Sequence, residues 1–202
     1  MQKKDIYHIF SHLPTLETDR LVLRKMLVSD TDDMYRYASM EETSRYLAWY
    51  PHKTKQYTKE YLQYVGTRYN VGDFYDWAVV EWKEGRMIGT CGFTSFDFQN
   101  DVGEIGYVIN PEYQGKGYAS EAIRRVMAFG FDVLKLHRIE VRFIEGNDAS
   151  RHVAEKAGFL FEGFRREALL IKGRYRTVGM LGLTESDYRR LYSPLAGQPQ
   201  NK

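Results

Sequence analysis

Between residues 102 and 143 the hydrophobic pattern changes period twice, and this stretch limits the fold more than any other. Val102 to Ile109 reads as a strand, and Asn110 to Gly117 reads as a loop. Tyr118 to Leu134 then reads as an amphipathic helix, with Ala119, Ala122, Ile123, Val126, Met127 and Phe131 recurring at helical spacing. Arg138 to Phe143 alternates, putting Ile139, Val141 and Phe143 on one face. A strand that leaves through a helix and returns as a strand is a crossover, so two strands run parallel in one sheet.

The rest of the chain reads as antiparallel strands and helices around that unit. Arg20 to Arg24 is a short strand. Ser29-Asp-Thr-Asp32 offers a helix start ahead of Met34, Tyr37 and Ala38, and Thr54 to Tyr69 is helical. Asp76 to Trp82 and Met87 to Phe98 form a hairpin about Lys83 to Arg86. After the crossover, Asn147 opens a short helix that Gly158 ends. Phe159 to Ile171 and Tyr175 to Thr184 make a last hairpin, and Asp187 to Tyr192 a terminal helix. The fold class is mixed α/β, with a mostly antiparallel sheet. One domain is expected over residues 16–193, with an N-terminal extension over 1–15 and a frayed tail over 194–202.

Composition narrows the function. The 202 residues carry 29 Lys and Arg against 27 Asp and Glu, so no basic surface for nucleic acid is indicated. The one cysteine, Cys91, excludes an intramolecular disulfide and a multi-cysteine zinc site, and no metal is expected. Asp5, His8, Ser11 and His12 interrupt any signal-like apolar run, and no window is long and apolar enough to span a membrane. The cytoplasm is the expected location. Aromatic residues are 15% of the chain, with 16 Tyr, 11 Phe and 3 Trp, an unusual content that either core packing or an acceptor site could use.

The strongest local feature is Gln114-Gly-Lys-Gly-Tyr-Ala119, between strand and helix. Gly115 and Gly117 permit backbone angles that turn several N–H groups to one point. The helix start at Tyr118 adds unpaired donors and the positive end of the dipole. Ala119 is small, and Lys116 adds a charge. Such a loop can cradle a diphosphate, or it can be only a tight turn. It is not a nucleotide P-loop, because Gly117 rather than Ser or Thr follows Lys116. It is not a Rossmann fingerprint either, because Ser120 stands at the sixth position and five residues separate the strand from Gly115.

The same hexapeptide resembles the Q/R-x-x-G-x-G/A signature of the GNAT acyl-CoA-dependent N-acetyltransferases. Asn147-Asp-Ala-Ser-Arg-His-Val-Ala-Glu-Lys-Ala-Gly-Phe159 resembles that family's N-x-x-S…E-K-x-G-F segment. Leu16-Glu-Thr-Asp-Arg-Leu-Val-Leu-Arg24 is similar to the opening of the branch that includes the ribosomal-protein N-terminal alanine and serine acetyltransferases. The three elements occur in order over residues 16–185. The resemblance implies a central sheet of about seven strands with a V-shaped splay between the two parallel strands, flanked by helices. It implies acetyl-CoA in that splay, the pantetheine pairing near Val108 and Ile109, and the pyrophosphate on Gln114, Gly115, Lys116, Gly117, Tyr118 and Ala119. Asn147 would bind the pantetheine arm, or serve only as a helix cap.

Acetyl transfer to an amine needs a base, a donor for the carbonyl oxygen and a proton for the leaving thiolate. Glu104 is the expected base, directly or through water, because it shares a strand face with Gly106 and Val108; a plain surface carboxylate is the other reading. Many family members place a Tyr seven residues after the Asn, where this chain has Ala154. The ribosomal-protein branch instead resembles this chain in having Ser150, the expected partner of the coenzyme sulfur. His137 reads as a surface residue, His152 lies in the second-motif helix, and Cys91 reads as buried packing. Trp49 and Tyr61, with Tyr50, Tyr57 and Tyr64, fall where this family builds its acceptor pocket, so the aromatic excess points to a partly apolar acceptor site. The expected partner is an amine, either a protein N-terminus or a small molecule, and a homodimer is compatible with the edge strands. Two other functions remain open: a catalytically degenerate acyl-CoA sensor, for which Ala154 speaks, and a nucleotide module resting on the glycines alone.

Overall fold

In the computed structural model, which describes residues 2–192, the chain forms eight strands in one sheet. Helix α1 (Lys3–Ser11) precedes β1 (Leu16–Glu17) and β2 (Leu21–Arg24). Helices α2 (Thr31–Ala38), α3 (Glu41–Ser44) and α4 (Lys55–Val71) follow. Then come β3 (Asp76–Glu81), β4 (Arg86–Asp97) and β5 (Val102–Ile109), and α5 (Tyr118–Asp132) crosses to β6 (Arg138–Ile144). Helix α6 (Asp148–Lys156), β7 (Leu160–Ile171), β8 (Arg174–Thr184) and α7 (Glu185–Tyr192) complete the described chain. The strand order is β1-β2-β3-β4-β5-β6-β8-β7, and β5 and β6 are the parallel pair. The expected tail lies outside the described residues.

The parallel pair is short. β5 and β6 are in register from Val102 opposite Arg138 to Ile105 opposite Val141, and no further. β5 continues to Ile109 and β6 to Ile144, so the two strands part after about four residues each. Each keeps its outer neighbour along the divergence: β4 stays paired with β5 up to Ile109, and β8 with β6 up to Ile144. The splay is therefore built by two separately braced half-sheets, and its walls stay in place without a filling strand.

Two elements differ from the sequence reading. β1 is a two-residue strand that pairs with β2, which raises the count to eight. Residues 3–11, read as part of an extension, form α1 with Ile6 and Phe10 buried. Those two sit four apart on one helix face. Phe10 packs edge-on to Tyr75, Trp77 and Phe129, with ring centroids 4.8, 5.5 and 6.2 Å away. Burial of that ring holds a helix too short to be stable alone. Much of the aromatic excess is core of this kind, since Tyr37, Tyr69, Trp77, Phe93, Phe129 and Phe131 are all buried. No helix among the described residues is long and apolar enough to cross a membrane.

Candidate active site

The splay opens into a cavity of about 790 Å³. One end meets the glycine loop and the start of α5. The other meets α3 and the β7–β8 hairpin through Glu42, Tyr46, Leu47, Leu169, Ile171 and Val178.

At the loop end, Gly115 and Gly117 have φ of 74° and 84°, the left-handed region that favours glycine. Among the described residues no backbone carbonyl takes the N–H groups of Gly115, Lys116 or Gly117. Tyr118 and Ala119 are the first residues of α5, whose N–H groups lack intrahelical partners. Several donors therefore converge on one open point, an arrangement suited to a diphosphate. Gln114, Gly115, Gly117, Tyr118 and Ala119 line the cavity. Lys116 does not line it, and its ammonium lies 5.0 Å from the Tyr113 ring.

The loop is braced from far upstream. Arg20 donates from Nη1 to the Lys116 carbonyl (2.9 Å) and stacks over the Tyr118 ring (4.5 Å). Its Nε donates to Glu121 Oε2 (2.7 Å), and its backbone N–H and the Thr18 hydroxyl donate to Oε1 (3.0 and 2.6 Å). Burial pushes the Glu121 carboxyl up, but these bonds from Thr18 and Arg20 outweigh it and hold it below its ordinary value.

Along the splay, β5 offers an open edge. Asn110 N–H donates to Ile88 O on β4 (2.7 Å). Strand alternation then turns the peptide groups of Ile109 and Tyr107 away from β4, and that of Val108 towards it. Gln114 Nε2 donates to the Ile109 carbonyl (2.9 Å), tying the loop to the strand end. Val108 and Ile109 both line the cavity, but the Val108 peptide group faces β4, so of these two expected pairing positions only Ile109 turns to the open edge.

Glu104 lies deeper, where the strands begin to part. Its Oε1 accepts from the Thr94 hydroxyl (2.9 Å), and its Oε2 forms an ion contact with Arg142 Nε (2.5 Å). That Nε–H is not aligned for a hydrogen bond, so the contact is ionic rather than directional. All three residues line the cavity. Glu140, opposite Glu104 in the register, is instead taken up by Arg138 (2.8 Å).

Across the splay, Asn147 caps α6, its side chain accepting from Ser150 N–H (3.3 Å). Ser150 Oγ lies 2.9 Å from the Tyr107 hydroxyl, which also donates to the Ser150 carbonyl (2.7 Å). Burial pushes the Tyr107 phenol far up, against the lowering effect of the Ser150 bond, so it stays a neutral donor. Asn147, Ser150, Tyr107 and the exposed His152 line the cavity, whereas Ala154 is wholly buried.

The structure thus brings Glu104, Val108, Ile109, Gln114, Gly115, Gly117, Tyr118, Ala119, Asn147 and Ser150 to one cavity. Trp49 and Tyr61 do not line it. They stand beside the buried His52, with ring centroids 5.4 and 5.8 Å away, and His52 Nδ1 is 2.9 Å from Thr58 Oγ1. Burial lowers the His52 imidazole and raises the Tyr61 phenol. Cys91 is buried and its thiol is pushed well up by burial, which removes it as a nucleophile. Sequence reasoning missed Tyr107 and Arg142. Both lie on strands it had placed, but Arg142 reaches Glu104 only through the β5–β6 register, and Tyr107 reaches Ser150 only because α6 packs over the other face of the splay.

The family model of the acetyltransferase (GNAT) domain matches residues 20–160, which contain the whole splay and its loop. The chain belongs to the GNAT family. It is an acetyltransferase, and a curated relative of the same kind is an uncharacterized N-acetyltransferase, p20, of Bacillus licheniformis. That protein is 32% identical over 176 residues, 87% of this chain and 99% of the relative. Among solved GNAT folds, a ribosomal-protein-S5-alanine acetyltransferase from Vibrio fischeri superposes with a TM-score of 0.68 at 24% identity, covering 87% of this chain and 98% of that one. A spermidine N-acetyltransferase from Vibrio cholerae, solved with CoA and spermine, gives 0.69 at 24% identity, covering 85% and 99%.

Proposed function

We propose that this GNAT enzyme moves an acetyl group from acetyl-CoA to a primary amine, on a protein N-terminus or a small molecule, by direct transfer in a ternary complex. The observation that carries the reading is one cavity holding a diphosphate cradle at one end and a carboxylate, Glu104, at the root of the splay. The donors at 115–119 would hold the pyrophosphate. The open edge at Tyr107 and Ile109 would pair with the pantetheine amides as an added strand does. Asn147, already a helix cap, keeps its amide nitrogen free for that arm.

Acetyl-CoA supplies the activated thioester, and the chain supplies the proton handling. Glu104 takes a proton from the amine, directly or through one water, while Thr94 and Arg142 fix its rotamer. The Tyr107 N–H, turned to the open edge, would donate to the thioester carbonyl oxygen as charge builds there. The Ser150 hydroxyl, held by Tyr107, would hydrogen-bond the leaving sulfur. Ala154 offers no polar group, so the sensor reading rests on an absence that Ser150 can offset.

Titration calorimetry with acetyl-CoA, paired with thiol release on an amine and peptide panel, tests this directly. Tight binding with no thiol release from any acceptor would convert the reading to a sensor. Glu104→Gln should lower kcat by about 10²- to 10⁴-fold while acetyl-CoA affinity holds. A Gln variant with wild-type kcat would remove Glu104 from the mechanism.

A further inference from the structure

The acceptor end of the cavity is bounded by a hairpin with an unusual charge. Residues 165–176 hold five of the chain's 29 Lys and Arg and one of its 27 Asp and Glu. The rest of the chain is left with 24 cationic residues against 26 acidic ones. A nearly neutral protein therefore carries a concentrated positive arm.

The pairing of β7 with β8 shows where that charge faces. Residues opposite one another in an antiparallel pair share a face. Leu169, Ile171 and Val178 line the cavity, and their partners are Arg176, Arg174 and Arg165. On the other side of β8, Arg142 of β6 lies opposite Met180 and lines the cavity too. Four arginines thus stand on the face that forms the acceptor wall. Arg142 is committed to Glu104. Among the described residues no side chain pairs with Arg165, Arg174 or Arg176, and Arg176 Nε is buried without a hydrogen-bond partner. Of the hairpin's other two cations, Lys172 is satisfied by the Ser44 carbonyl (2.7 Å) and Arg166 lies in the bulge of β7. Acidic groups nearby include Glu42 and Glu104 on the cavity wall, Glu167 in the bulge of β7, and Glu145, whose N–H donates to the Thr177 carbonyl (3.0 Å).

We infer that this arm binds the acidic segment of a peptide acceptor, whose N-terminal amine reaches Glu104. This rests on the acetyl-transfer reading above and names its acceptor class. Polarity supports it: the Glu104 carboxylate at the root of the splay receives the amine, and arginines outward receive anions. Length supports it as well. From Arg174 to the level of Arg142 is six residues of β8, about 20 Å at strand rise, which an extended peptide spans and a single amino acid does not. The aliphatic residues between the arginines, Leu169, Ile171 and Val178, suit the non-acidic side chains of such a strand. A polyamine would meet like charge along this wall, so the acceptor of the spermidine enzyme does not carry over. A second copy of the chain would oppose one positive arm to another.

The test is thiol release from acetyl-CoA with three acceptors: the peptide Ala-Asp-Glu-Asp-Glu-Leu, the same peptide with Asn and Gln for its acids, and spermidine. The acidic peptide should exceed the neutral one by about tenfold or more in kcat/KM at low salt, and high salt should shrink that gap. The double variant R174E/R176E should raise KM for the acidic peptide about tenfold with kcat held, and R174Q/R176Q should lie between. Unchanged acetyl-CoA affinity verifies that each variant is folded. Equal kcat/KM for the two peptides, preference for spermidine, or a preference that survives charge reversal would overturn the inference and leave the transfer reading standing. Anisotropy of the labelled acidic peptide, read in the presence of CoA, separates the reverse case. Salt-sensitive binding lost in R174E/R176E, without turnover of any acceptor, would keep the arm and overturn the transfer reading.

Discussion

Asp76 opens β3 and gives the fold a measurable pH dependence. Its Oδ1 accepts from the Trp77 N–H (3.0 Å), and its carboxyl also takes a bond from Thr90. Burial outweighs both bonds and raises its pKa from 3.8 to about 7. Between those two values the unfolded chain has lost a proton that the folded chain keeps, so stability falls as pH rises. Each unit is worth about 1.4 kcal/mol, which over about three units comes to roughly 4 kcal/mol. Asp76 keeps part of its surface in water, and screening there brings the expected loss to about 2–4 kcal/mol. Asp76→Asn removes the titration and keeps a carbonyl oxygen for the Trp77 N–H. The variant should match the wild type near pH 4 and exceed it by about 2–4 kcal/mol near pH 8. Urea unfolding of both proteins across that range measures the difference curve. Parallel curves, with no divergence as pH rises through 7, would refute the assignment of a buried, proton-holding Asp76.

Gly117→Val places a branched side chain at φ 84°, which costs about 1–2 kcal/mol of backbone strain. The nearest protein atom to its Cβ is Arg20 Nη2 at 3.4 Å, so the new bulk meets no wall and enters the cradle. Acetyl-CoA affinity measured by calorimetry should fall about tenfold or more, and an unchanged Kd in a folded variant would sink the cradle assignment. Phe10→Ala empties a fully buried ring site between α1 and the sheet, and should cost about 3–5 kcal/mol in a denaturant titration. A loss below about 1 kcal/mol would mean that α1 is not part of the core.

The crossover was legible because period changes are strong: 17 residues at helical spacing from Tyr118 to Leu134 cannot sit in a strand. The glycine loop was legible because its chemistry is local. Helix α1 was not, since nine residues with two buried side chains give too little periodicity to separate from a tail. The side chains that shape Glu104 and Ser150 were not legible either. Arg142 meets Glu104 only through the parallel register, and Tyr107 meets Ser150 only because α6 folds back over the splay. Trp49 and Tyr61 show the opposite limit. Chain position put them near the acceptor site, but their packing against His52 depends on how the segment 49–52 seats against α4, which spacing does not determine.

The brace from Arg20 accounts for why three short motifs so far apart act together. A loop with two left-handed glycines is easily turned and equally easily lost, because glycine gives up the most backbone freedom on ordering. Something outside the loop must hold its N–H groups in one direction. Arg20 does this from the start of β2, gripping the Lys116 carbonyl with one nitrogen while Glu121 anchors its others to the first turn of α5. The first motif thus fixes the second. The second is tied to the open strand by Gln114, and the third faces that strand through Ser150 and Tyr107. Ordering the cradle before a ligand arrives lowers the entropy lost on binding. A chain that kept the glycines and lost Arg20 would keep the shape of the loop in outline but bind a diphosphate more weakly.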